Sequence, residues 1–232
     1  MYSGVGISNG IAKAEVKFCK DLSCVYEKHY ITKVQQEQEY VRKAYKNVQK
    51  NLTTLYELAI KKVGVAVAMI VQGHLHMVED QGCIDKVLNM IEEQKIQAEW
   101  ALQYVFNDYV KLFNQFGDSY QKARKIDLME ILNLLEQEVQ KEKGVDKGIV
   151  YEKSTFSPFI ALGRQFSIED VLHLYERGAI GIVDLLGEVE SHISVVVKTL
   201  GIPMIIKMNE ESISLVGKQC IMDGAQGTVN AE

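Results

Sequence analysis

From Ile31 to about Lys143 the apolar residues recur at helical spacing. Val41, Tyr45, Val48, Leu52, Leu55 and Ala59 follow one another at steps of three and four, with Gln, Glu and Lys filling the positions between. That pattern predicts one long amphipathic helix with a narrow apolar seam. Such a seam needs an antiparallel partner, and Ala98, Leu102, Val105, Tyr109, Leu112 and Phe116 repeat the period. Gly117 and Asp118 interrupt it, Leu128, Ile131, Leu135 and Val139 resume it, and Gly144 ends it. Between these stretches, Val65 to Ile91 reads as a helix broken near Asp80-Gln81-Gly82, because a glycine inside a helix costs about 1 kcal/mol relative to alanine. The expectation is a helical bundle.

On either side the period changes. Ser167 before Ile168-Glu169-Asp170 is a good N-cap with acidic residues in the first turn, and Arg177-Gly178 supplies the stop. Ile180 to Val183 and Met204-Ile205-Ile206 are short apolar strands separated by a helix that follows His192 and ends at Gly201. Gln219 to Met222 and Thr228 to Asn230, bracketing Asp223-Gly224-Ala225-Gln226-Gly227, read as a closing hairpin. Tyr2 to Phe18, with glycines at 4, 6 and 10, belongs by texture with this half. The expected fold class is therefore α/β, a discontinuous domain over residues 1–30 and 145–232, with an inserted all-helical subdomain over 31–144.

Composition narrows the function. With 232 residues, 47% of them hydrophobic, the chain can bury a core, and a formal net charge of -5 argues against a nucleic-acid binder and suits a cationic protein partner. Cys19, Cys24, Cys83 and Cys220 show no C-x-x-C spacing and no matching histidines, so neither disulfides nor zinc is expected. The longest apolar run, Val63 to Val71, is too short to span a bilayer, and the first residues lack the layout of a signal peptide. A reducing cytoplasm is the expected setting.

Ser191-His192 is where chemistry is expected. It follows Gly187 after a β-like run and precedes the helical stretch Ile193 to Leu200. A helix start carries unpaired backbone N–H groups and the positive end of a dipole, which stabilise a phosphate. A neutral imidazole there can attack phosphorus in line. The same placement also fits a histidine that merely lines a strand-to-helix turn.

Four stretches in order carry a resemblance: Ser8-Asn9-Gly10-Ile11-Ala12, Gln72-Gly73-His74-Leu75-His76-Met77-Val78-Glu79-Asp80, Ser191-His192-Ile193-Ser194 and Gly201-Ile202-Pro203-Met204-Ile205-Ile206. Together with the helical insertion they resemble the N-terminal half of enzyme I, the phosphoenolpyruvate-protein phosphotransferase of the bacterial sugar phosphotransferase system. Other phosphohistidine domains share Ser-His but lack the carrier-binding bundle. The resemblance implies that His192 takes a phosphoryl group and passes it to a histidine of the small carrier HPr, with Ser191 beside it. It implies further that Lys198, where the family has an arginine, supports the phosphate, and that His74, Met77 and Arg124 lie on the HPr-facing surface of the bundle. A metal site from His74 and His76 is not expected, since residues two apart on a helix point to different sides. Phosphoenolpyruvate and Mg²⁺ belong, in the family, to a C-terminal barrel beyond this chain.

The departures are specific. Where the family has a glycine-rich, often positive turn before Ser-His, this chain has Gly187-Glu188-Val189-Glu190, and two carboxylates repel an incoming phosphate. The family threonine that supports the imidazole aligns with Phe166, so its hydrogen bond is expected to be absent unless Ser167 takes its place. Gln81 and Gly82 stand where the bundle usually has acids, weakening the match to a basic carrier. Two functions follow: a phosphoryl-transfer domain acting through His192, or a divergent, transfer-impaired module that binds HPr or a related carrier and regulates.

Overall fold

The computed structural model describes residues 1–20, 27–114, 119–144, 157–189 and 191–232, the stretches 113–114 and 119–123 by backbone alone. The chain divides into two compact units, Ser23–Lys147 and the pair of segments Met1–Leu22 and Gly148–Glu232.

The first unit is helical. α1 (Val34–Leu58) buries Val41, Ala44, Tyr45, Val48, Leu52 and Leu55 on one face, as its seam requires. It runs into a π-helical turn, Ala59–Val63, and stops at Gly64, whose φ of 136° is closed to other residues. α2 (Val65–Val78) and α3 (Gln81–Gln94) are separate helices. The break between them comes from capping rather than from glycine flexibility: Asp80 Oδ1 accepts the N–H groups of Gly82 and Cys83 at 2.9 and 3.4 Å. α4 (Ala98–Asn114) and α5 (Ser119–Glu142) complete the unit, with α1 packed on α2, α3 and α5, and α4 on α3 and α5.

Ala98, Leu102 and Val105 are buried as their period demands, but Leu112 is 55% exposed. α5 also departs from a simple seam. Ile131, Leu135 and Val139 are buried, and so are Asp127, Glu130, Glu136 and Glu138. Phe116, Gly117 and Asp118, on which the expected interruption rests, lie outside the described residues, as does Cys24. Cys19, Cys83 and Cys220 are buried free thiols; burial pushes Cys19 up to about 12.

The second unit is an α/β fold whose sheet has eight strands among the described residues: β1 (Tyr2–Ser3), β2 (Val5–Ser8), β3 (Ile11–Lys20), β4 (Phe159–Gly163), β5 (Ala179–Asp184), β6 (Met204–Ile206), β7 (Gln219–Asp223) and β8 (Thr228–Ala231), in the order β1-β8-β7-β3-β4-β5-β6-β2. β3, β4, β5 and β6 are parallel; α6 (Ile168–Glu176) crosses from β4 to β5 and α7 (Ile193–Leu200) from β5 to β6, while the helical unit is inserted between β3 and β4. β7 and β8 form the expected hairpin. The two edge strands, β1 and β2, are separated in sequence by Gly4 alone. Two trans peptides span at most about 7.6 Å, so the two ends of the sheet must meet and the sheet curls closed. Gly224, in the β7–β8 turn, sits so close to β2 that a Cβ there would lie 2.1 Å from the Ser8 carbonyl oxygen. Alternating Ala12, Ala14 and Val16 from β3 join Ile160, Leu162, Val183, Ile205 and Met222 in the core.

Candidate functional site

The site forms where β5 ends. Asp184, 1% exposed, turns its carboxylate back on two loops: Oδ1 accepts the N–H of Gln165 at 2.7 Å and of Leu186 at 3.1 Å, and Oδ2 that of Phe166 at 2.9 Å. Burial pushes this carboxyl above the ordinary aspartate range, while the three N–H bonds and the nearby Lys20 oppose the rise. Asp184 thus ties the β4–α6 turn, where Gln165 holds a φ of 53°, to the loop that carries Ser191 and His192. Gly187 follows so closely that a Cβ would stand 3.1 Å from the Asp184 carboxyl and 2.8 Å from Ile206 Cγ2.

His192 takes the N-cap position of α7 with helical backbone angles, φ -59° and ψ -21°, and is half-buried. The capping itself falls to Ser191, whose buried Oγ accepts the Ile193 N–H at 3.2 Å, and not to the imidazole. The expectation of unpaired amides at this helix start is corrected. Ser194 N–H donates to the Ser191 carbonyl at 3.1 Å, and the N–H groups of Val195 and Val196 donate to the His192 carbonyl at 3.0 and 3.3 Å. Because His192 already has helical angles, the first turn closes on itself with short-range bonds. What α7 offers an anion is its dipole. Lys198 is exposed, about 9 Å of helix rise beyond His192 and about 120° around the axis from it.

Glu188 is exposed and forms an ion pair with Lys207 Nζ at 2.9 Å, so its charge is partly offset. Glu190 lies outside the described residues. Phe166 is buried with its ring over Gly163, and Ser167 caps the next helix: its Oγ accepts the Asp170 N–H at 3.1 Å while the Asp170 carboxylate accepts the Ser167 N–H at 2.7 Å. That reciprocal cap starts α6. Lys20, at the end of β3, forms a buried ion pair with the same Asp170.

In the helical unit, His74 is not a surface residue. It is 3% exposed, with Nε2 at 3.3 Å from Asp127 Oδ1 and 3.9 Å from Glu130 Oε2, both carboxylates on α5. α2 packs that face against α5, which is why a histidine read as solvent-facing is enclosed. Arg124 Nη1 lies 3.7 Å from the other Asp127 oxygen, and its side chain is partly exposed. Met77 is half-buried and His76 exposed. Sequence reasoning missed Asp184, Lys20 and the buried α5 carboxylates; an aspartate inside the apolar run Ile180–Leu186 was the visible signal for the first.

With this geometry in view, the comparisons with known proteins are consistent. The model of the PEP-utilising enzyme, N-terminal, matches residues 3–124, and that of the PEP-utilising enzyme, mobile domain, matches residues 157–227. The chain belongs to the PEP-utilising enzymes. Within them it resembles phosphoenolpyruvate-protein phosphotransferases: that of Mycoplasma capricolum is 24% identical over 99% of this chain and 39% of its own length. That of Haemophilus influenzae is 25% identical over 99% of this chain and 40% of its own length. The chain thus spans about two-fifths of the relatives it matches. A solution structure of enzyme I superposes with a TM-score of 0.78 at 25% identity, covering 100% of this chain and 93% of that one. The expected fold, a phosphohistidine-type α/β domain with a helical subdomain, is the one observed.

Proposed function

We propose that this chain is the phosphoryl-transfer part of an enzyme I, accepting a phosphoryl group on His192 and passing it to a histidine of HPr. The observation that carries this reading is the division of labour at α7: Ser191 caps the helix, which leaves the half-buried His192 imidazole at the positive end of the dipole without a capping duty. A ring-nitrogen lone pair attacks phosphorus in line; the N–P bond forms as the bond to the leaving group breaks, and the dipole steadies the transferring charge. In the onward step the carrier's imidazole attacks the same phosphorus and the His192 nitrogen departs with its electron pair.

Ser191 and Asp184 hold the loop, and Lys198, on another face of α7 from His192, adds a cation to the helix without touching the site. HPr docks on the helical unit through Met77 and Arg124, with His74 beneath them orienting Arg124 through the shared Asp127 carboxylate. Phosphoenolpyruvate and Mg²⁺ belong to a separate C-terminal barrel, and the transfer through His192 uses no cofactor of this chain's own. Such a protein works in the cytoplasm; among the described residues no helix is long and apolar enough to cross a membrane.

Incubation with phosphorylated HPr should add one acid-labile, base-stable phosphate, absent from His192→Ala. Label retained in that variant, or found on His74 or His76, refutes the assignment. A protein that binds HPr yet takes no label is instead the transfer-impaired regulator, the reading that Phe166 in place of the supporting threonine favours.

A further inference from the structure

A cleft of about 550 Å³ opens between α3 and α4, wholly within the helical unit. That volume lies in the range of small-molecule sites, about 300 to 1,000 Å³. Its floor and walls are Met90, Val105, Tyr104, Tyr109 and Leu112. Tyr104 is 42% and Leu112 55% exposed, two large apolar side chains that α4 turns toward the cleft instead of into the core.

The walls are held in place. The Tyr104 ring stacks on Trp100 at 5.5 Å between centroids, and Trp100 is covered on its own account by Lys28 Nζ at 4.7 Å. Tyr109 is fixed by Lys86, whose Nζ lies 4.6 Å from the ring centroid and donates to the hydroxyl at 3.0 Å. Rigid aromatic surface loses little entropy when a ligand covers it.

The charges around the cleft have a direction. Lys111 is paired with Asp108 at 2.9 Å, so these two largely cancel. Lys86 has no carboxylate within ion-pair distance among the described residues, and its ammonium is aimed by Tyr109. Glu93 stands two turns further along α3, about 10 Å away, at the other end of the cleft. An occupant's negative group is therefore drawn to the Lys86 end and repelled from the Glu93 end.

We propose that this cleft is a binding site for an organic anion with a flat apolar body, its acid group at Lys86 and its rings between Tyr104, Met90 and Leu112. This goes beyond phosphoryl transfer, since none of these residues has a part in it. The probe is 8-anilinonaphthalene-1-sulfonate, with the uncharged N-phenyl-1-naphthylamine as its neutral counterpart, titrated against the full chain by fluorescence.

The sulfonate should bind one to one, with amide shift changes confined to 86–93 and 104–112. Lys86→Met should weaken it roughly tenfold, the value of one charge-assisted contact, and weaken the neutral probe less than about twofold, the share owed to the freed Tyr109 ring. Lys86→Arg should restore the sulfonate, and Leu112→Asp should weaken both probes. Lys86 and Leu112 are exposed, so circular dichroism should show unaltered folds. Equal sulfonate affinity in wild type and Lys86→Met, shifts mapped elsewhere, or no saturable binding overturns the proposal.

Discussion

Glu136 should make the helical unit less stable as pH rises from about 4.5 to neutrality. It is 6% exposed on α5, one of its oxygens, Oε1, has no hydrogen-bond partner, and burial together with the neighbouring Glu99 pushes its carboxyl from 4.5 to about 7, against a Gln103 hydrogen bond that pulls it down. The folded protein therefore keeps a proton that the unfolded chain releases from about pH 4.5 upward. Below that both states are protonated and the group costs nothing; between the two values the penalty grows, and above about pH 7 it is complete. At about 1.4 kcal/mol per pH unit the penalty reaches about 3 kcal/mol. Glu136→Gln keeps the shape and removes the charge. Urea denaturation followed by Trp100, the single tryptophan of the chain and a member of α4, should show little difference between variant and wild type at pH 4.5. At pH 8 the variant's midpoint should be higher by about 1 to 2 M, for a slope of about 2 kcal/mol per molar urea. Parallel pH profiles for the two proteins would refute the reasoning, because the proton would then be held elsewhere.

Two further outcomes follow from the α/β unit. Lys20→Met strands the buried Asp170 carboxylate and should cost about 3 kcal/mol, whereas Ser167→Ala removes only one half of the α6 cap and should cost about 1 kcal/mol, both read from denaturation midpoints. Glu188→Gln should change the rate of His192 phosphorylation less than twofold in low salt, since Lys207 already offsets the charge; Lys207→Gln should slow it instead, and equal effects from both would mean that neither group faces the phosphate.

Elements with a period or a cap were legible in the sequence. The α1 seam, the Ser167 start of α6, the β7–β8 hairpin and the strands flanking α7 all follow from local signals that tertiary packing reinforces. β4 was not, because a central parallel strand buried on both faces shows no alternation: Phe159 to Gly163 are all buried. His74 was misjudged for a related reason. Its helix gives three polar and small neighbours, Gln72, Gly73 and His76, and only the carboxylates brought by α5, from more than fifty residues away, show which side is inside. Asp184 was hidden because its partners Gln165 and Phe166, nineteen and eighteen residues back, lie in a loop that periodicity does not describe. The Ser191-His192 step was visible as chemistry, whereas the self-satisfied first turn of α7 was not, since it depends on the helical backbone angles of His192.

The closed sheet has a consequence for how this protein can go wrong. Residues Tyr2 to Ser8 are a clasp: they seal β8 on one side and β6 on the other, and no other described strand covers either margin. The clasp precedes every other strand in the chain yet can fasten only after β6 and β8 exist, some two hundred residues later, so during synthesis both margins wait exposed while the helical unit, built from near neighbours, is already free to fold. Losing those few residues would turn a closed sheet into one with two bare edges of unpaired N–H and C=O groups, and bare edges recruit other chains. Self-association, more than unfolding, is the failure this architecture invites.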